Sequence, residues 1–152
     1  MNRTLFFYRI LFCLVTCRYQ ISWRSRFMSQ ALAAFNAFGA ESFSSMMCQQ
    51  APYFSTIQPT LVELKQGYAE AKVPFRKEIT NHLGTVHAIA MCNAAELVAG
   101  LMTDATIPSG ARWIPQSMSV NYLAKAKTDL RAIANGEGID WDSAGQKIVP
   151  VS

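Results

Sequence analysis

A single acid in the middle of an apolar stretch is the sharpest chemical feature of this sequence. Glu96 stands in NHLGTVHAIAMCNAAELVAG, residues 81–100. Gly84 supplies a turn, and no proline or glycine follows until Gly100, which predicts a helix over about 86–102 with Thr85 as its N-cap. At about 100° per residue, Ala90, Met91, Ala94, Leu97, Val98, Leu101 and Met102 fall opposite the acid. Ile89, Cys92, Asn93, Ala99, Gly100 and Thr103 surround it. A helix apolar almost all round belongs in a core, so Glu96 is expected to be partly shielded from water, where an unpaired carboxylate is costly and its pKa tends to rise. Small neighbours leave room for a ligand, on which such an acid acts as base or nucleophile. The alternative is a solvated or paired acid at the helix rim. Near His87 and Ala88, unpaired N–H groups at the positive end of the helix dipole suit an oxygen that gains negative charge. Asn81 reads equally as a turn residue or as a group that places substrate. His87 reads first as a structural histidine bonded to the turn.

The elements that must hold this helix can be read on either side of it. Leu32, Phe35, Phe38, Phe43, Met46 and Met47 give residues 30–50 an apolar stripe, predicting a helix divided at Gly39 that forms a lid over one end of a sheet. Pro52 and Pro59 bracket a turn-rich link. Alternation predicts strands at 60–66 and 68–75, joined at Gly67. Leu61, Glu63 and Lys65 alternate with Val62 and Leu64, and Tyr68, Glu70 and Lys72 with a dry face of Ala69, Ala71 and Val73. Beyond a loop containing Pro108 and Gly110, strands are expected at 117–124, 129–136 and 147–151. Strands, one long buried helix and more strands is the order of an α+β domain whose antiparallel sheet wraps a helix.

At 152 residues, 51% of them hydrophobic, the chain has material for one domain with a real core. The net charge of +4 is mild, and no basic stripe interleaved with aromatics occurs, so nucleic acid is not an expected partner. Residues 1–27 include an apolar run, 5–17, interrupted by Arg9. That run is too short for a membrane span and lacks a good cleavage site. The segment is expected to be a non-native or disordered extension outside the domain, with Met28 as the natural start. Cys13, Cys17, Cys48 and Cys92 have neither C-x-x-C spacing nor a histidine at zinc-ligand spacing, so a reducing, cytoplasmic compartment is expected. His82 and His87 lack an acid at a useful helical offset, and no metal site is expected.

Asn81, Gly84, Thr85, His87 and Glu96 form N-x-x-G-T-x-H followed nine residues on by an acid. With the flanking APYFSTIQPTLVELKQGYAEAKVPF and ARWIPQSMSVNYLAKAKTDLRAIA, this pattern resembles hotdog-fold acyl-CoA thioesterases of the phenylacetate-pathway type, within a bacterial subgroup of mostly unassigned substrates. The resemblance covers about residues 51–152. It implies a hotdog domain over 28–152, its sheet wrapped around a central helix at about 84–103, working as a homodimer or dimer of dimers with sites at the subunit interface. It also implies a hydrolase that cleaves an acyl-CoA or acyl-carrier thioester to free acid and thiol without a cofactor. In that reading Glu96 acts with water or as the nucleophile, Asn81 helps place the thioester or the water, and the Ala88 amide, following the Gly84 turn and His87, polarises the carbonyl. Arg112, Lys125 and Lys127 are candidate contacts for coenzyme A phosphates.

The pattern has departures. Ala88 and Ile89 stand where active members often carry Gly-Gly, Glu96 stands where Asp is common, and a Ser or Thr from the following strand has no clear match beyond the nearby Ser117 and Ser119. Two other readings remain: a hotdog protein that binds acyl groups or oligomerises without hydrolysis, and a hotdog dehydratase. The dehydratase needs a His paired with an acid, and within one helix His87 and Glu96 point about 180° apart. The last segment, IVPVS, reads as a strand at which the chain stops, so the C-terminal strands are expected to be incomplete. The absent final strand would lie between 147–151 and 117–124, leaving an open edge in the sheet.

Overall fold

The computed structural model describes residues 9–17 and 29–152. Around one helix, α2 (Ala88–Thr106), curls a six-stranded antiparallel sheet with the order β2-β3-β5-β6-β1-β4. The strands are β1 (Arg9–Cys17), β2 (Thr60–Lys65), β3 (Tyr68–Val73), β4 (Arg112–Asn121), β5 (Leu130–Asn135) and β6 (Gln146–Val151). This is the hotdog architecture implied by the sequence. The face of α2 predicted to be bulky is the core: Leu97, Val98 and Met102 are at most 2% exposed. They pack on the predicted dry face of β3, whose Ala69, Ala71 and Val73 are fully buried. α2 is long and apolar enough to cross a membrane, yet its bulkiest apolar side chains are buried within this domain.

Helix α1 (Gln30–Gln50) begins at Ser29, whose hydroxyl accepts the Leu32 N–H, and breaks at Gly39, where φ is 76°. Its second half packs on β2, where Ser44 Oγ accepts the Leu61 N–H at 2.8 Å and donates to the Ala40 carbonyl at 2.6 Å. β2 departs from simple alternation. Its register shifts between Leu61 and Glu63, a bulge that turns both Leu61 and Leu64 into the core and leaves Val62 exposed.

Several predicted bounds move. α2 starts later and runs further than 86–102, because His87 is its N-cap in place of Thr85. β4 starts at Arg112, five residues before the predicted 117. Pro115 lies inside it, tolerated because β4 is the outermost strand and can spare an N–H; the register against β1 shifts there as well. Residues 9–17, expected to lie outside the domain, form β1, antiparallel to β6 on one side and to β4 on the other. That is the position assigned from sequence to a strand beyond 151.

Candidate active site

The start of α2 is assembled by Asn81. Its Oδ1 accepts the N–H groups of Leu83 at 2.9 Å and Thr85 at 3.2 Å, and its Nδ2 donates to Thr85 Oγ1 at 2.9 Å. Gly84 takes the positive φ of 68° that this turn requires. The Val86 N–H donates to the Ala126 carbonyl at 2.9 Å and the His87 N–H to that of Ile79 at 2.8 Å, which fixes the chain as it enters the helix. Asn81 is therefore a turn-forming residue. His87 Nδ1 accepts the Ile89 N–H at 3.1 Å, which leaves any proton of the neutral ring on Nε2. The Ala88 N–H, at the first helical position, has no hydrogen-bond partner among the described residues. It is an open donor at the positive end of a 19-residue helix.

Glu96 is exposed, which corrects the expected shielding: within one chain the sheet does not cover this part of α2. What lies beside it is specific. One turn before Glu96, Cys92 Sγ is 3.0 Å from Tyr122 Oη. One turn after it, a Cβ on Gly100 would come within 2.9 Å of Trp113 Cη2. Residues four apart share a helix face, so Glu96 stands on the stripe that overhangs β4, between two aromatic side chains from the start and just beyond the end of that strand. The small residues expected around the acid serve different neighbours. Gly100 admits the Trp113 ring, and Asn93 and Thr103 are buried. Glu96, Gly100, Asp104, Arg112 and Trp113 line a groove of about 1510 Å³ that continues to α1 and the loop after α2.

The three candidate cations separate. Lys125 and Lys127 flank Ala126, whose carbonyl holds the Val86 N–H, so they sit near the start of α2; Arg112 lies in the groove by Glu96. All three are exposed. Sequence reasoning missed Tyr122, whose hydroxyl contacts Cys92 and lies 3.4 Å from the Ala88 carbonyl. Burial, and then the Cys92 contact, push its phenol up to about 12, so at neutral pH it is a neutral donor. No helical spacing could have linked Tyr122 to a helix thirty residues earlier.

Known proteins place this geometry in a family context. Residues 39–152 match the family described as "Domain of unknown function (DUF4442)". A structural-genomics protein designated APC5556 is 49% identical, with 82% of this chain and 95% of that one covered and a TM-score of 0.69. Two more distant structures share the fold. A probable thioesterase of unknown function, PA5026 from Pseudomonas aeruginosa, is 18% identical over 71% of this chain and 89% of its own, with a TM-score of 0.55. The thioesterase HI1161 from Haemophilus influenzae is 12% identical over 73% and 86%, with a TM-score of 0.59. No curated protein matches the sequence.

Proposed function

Since this chain belongs to the DUF4442 family and has the hotdog fold, we propose that it hydrolyses acyl thioesters, of coenzyme A or of a carrier, at a site completed by a second copy of the chain. The observation that carries this reading is the pairing of an open N–H at Ala88 with an exposed acid at Glu96 on one helix. Eight residues separate them by about 12 Å along the axis. A carbonyl donor and a base must each lie about 3 Å from the reacting group, so the two serve one thioester best when they come from different copies. β4 is paired to β1 alone among the described residues. A two-fold copy added along its free edge runs its α2 antiparallel to the first, and the stripe bearing Glu96 already overhangs that edge.

In this arrangement the thioester oxygen takes a hydrogen bond from the Ala88 N–H of one copy. Glu96 of the other removes a proton from water, whose oxygen attacks the carbonyl carbon; the C–S bond then breaks and sulfur takes the proton, giving free acid and thiol. Glu96 as direct nucleophile leads to the same products. Asn81 and Gly84 act through the turn that presents Ala88, and His87 acts as the cap. The Lys125 and Lys127 ammonium groups near that end, with Arg112 at the other, are the proposed contacts for coenzyme A phosphates. HI1161 is described as a thioesterase and PA5026 as a probable one, which supports the reaction class. A reducing, cytoplasmic setting belongs to the same proposal. A panel of acyl-CoA esters with free-thiol detection tests the proposal. Turnover of any ester removes the binding-only alternative, and hydration of an enoyl-CoA without thiol release points to the dehydratase instead.

A further inference from the structure

The sheet curls around α2 with β2 and β4 as its two edges. α1 extends the β2 side, since its second half is bonded to that strand through Ser44. Between α1 and the first residues of β4 runs the groove that contains Glu96. Phe43, Met46 and Met47 of α1 form one wall and Trp113 of β4 the other, with Leu97 and Leu101 of α2 as the floor. Phe43 and Met47 are buried, but Met46 beside them is 45% exposed. Of the described lining residues only Glu96, Asp104 and Arg112 are charged, and all three stand on α2 or β4. The α1 side is thus an apolar wall left open to water, which marks a surface that takes a ligand or partner.

We propose that this groove is the acyl site of the thioester reaction and that its substrates carry a long, flexible hydrocarbon chain. The inference rests on the thioesterase reading, and continuity with Glu96 decides the occupant. Water activated by Glu96 must reach the acyl carbonyl carbon, so the acyl group begins at the Glu96 end of the groove. Its thiol half then leaves toward the second copy, where Lys125 and Lys127 stand near the start of α2. From Glu96 to Asp104 the floor runs about 12 Å along the helix. An extended chain advances roughly 1.2 Å per bond, a third of the span of one extended residue, so about ten carbons lie along it. Methionine walls suit such a chain, because three rotatable bonds and a polarisable sulfur let them follow whatever shape it takes.

The test compares butyryl-CoA with decanoyl-CoA on the full chain, below the concentration at which the longer ester forms micelles. With about half of the chain's surface buried, each added methylene should roughly double kcat/KM, so six of them should raise it about 60-fold. Met46→Glu, at a site exposed enough to keep a charge without unfolding the helix, should cut that ratio roughly tenfold by setting a carboxylate against the chain. Equal kcat/KM for the two esters in the wild type, or a ratio that Met46→Glu leaves unchanged, overturns the assignment while the thioesterase reading stands. If neither ester is cleaved by the wild type, that reading fails for both, and titration with free decanoate and butyrate decides the groove separately through the methionine methyl resonances. Shifts at Met46 and Met47 with decanoate and not with butyrate, while the buried Met102 stays in place, uphold the groove as a site for a long chain. No shift, or shifts spread over all methionines, sinks it. Resonances of Met46 and Met47 that move on dilution instead of with decanoate would place a second copy of the chain in the groove and overturn the proposal.

Discussion

Replacing Ala88 by proline separates the proposed oxyanion donor from the stability of the helix. Ala88 is the first residue of α2, the helical position where proline's fixed φ fits and its missing N–H breaks no intrahelical bond. The residue before a proline must be extended, and His87 already is, at φ −66° and ψ 138°. The N–H that proline removes has no partner among the described residues. The fold should therefore lose nothing, and the stiffer unfolded chain should add between zero and about 1 kcal/mol of stability, or up to about 4 °C in Tm for a chain of this size. The reaction should lose its carbonyl donor, lowering kcat by ~10²–10³. Thermal melts at one protein concentration and initial rates of thiol release measure the two effects on one preparation. A variant that melts like the wild type and also turns over like it would show that the Ala88 N–H plays no part.

Glu96→Ala should lower kcat by ~10²–10⁴ while leaving Tm within about 1 °C, since the side chain is exposed; near-full activity in the purified variant would refute its role. Gly100→Val should destabilise by about 1–3 kcal/mol, because even its Cβ would sit 2.9 Å from Trp113, and denaturant titration that finds no loss would show that the ring yields freely. On the outer face of the sheet, Glu70 accepts from Arg131 Nε at 2.5 Å, Arg131 Nη2 at 2.7 Å and Tyr68 Oη at 2.8 Å. The Arg131 bonds in first place hold the Glu70 carboxyl below its usual range, so it stabilises the fold above the unfolded carboxylate pKa and the effect fades as pH falls through the folded value. Glu70→Gln should cost about 2 kcal/mol at neutral pH, and this gap to the wild type should narrow as pH falls from the unfolded carboxylate pKa through the folded value; a gap of the same size in strong acid as at neutral pH would contradict the assigned pairing.

Where the pattern repeated over many residues, the sequence was legible. The apolar face of α2 and the dry face of β3 follow from periods of 3.6 and 2, and both are buried as expected. Local exceptions were not legible. The β2 bulge brings Leu61 and Leu64 to one side, which alternation alone forbids. Pro115 reads as a breaker until β4 is known to be the outermost strand. Thr85 has the side chain of an N-cap, but Asn81 claims it, and His87 caps instead. The exposure of Glu96 depends on which flank of α2 the sheet leaves open, a tertiary property that helical periodicity does not contain. Asn81, Gly84, His87 and Ala88 did come together as one turn, because their contacts span only a few residues. Tyr122 and Trp113 meet α2 from segments further along the sequence.

The account stands on one thioester being served by the Ala88 amide of one copy and the Glu96 carboxylate of another, and mixing two inactive variants tests that directly. Ala88→Pro and Glu96→Ala chains, unfolded together in equal amounts and refolded, form a mixed dimer that holds one intact site and one doubly defective site. With random pairing, thiol release should recover to roughly a quarter of the wild-type rate, while each variant refolded alone remains at its low level. A mixture no more active than its components, alongside a wild type that does release thiol, would contradict the shared site, and a wild type that releases none from any acyl-CoA would contradict the hydrolase itself.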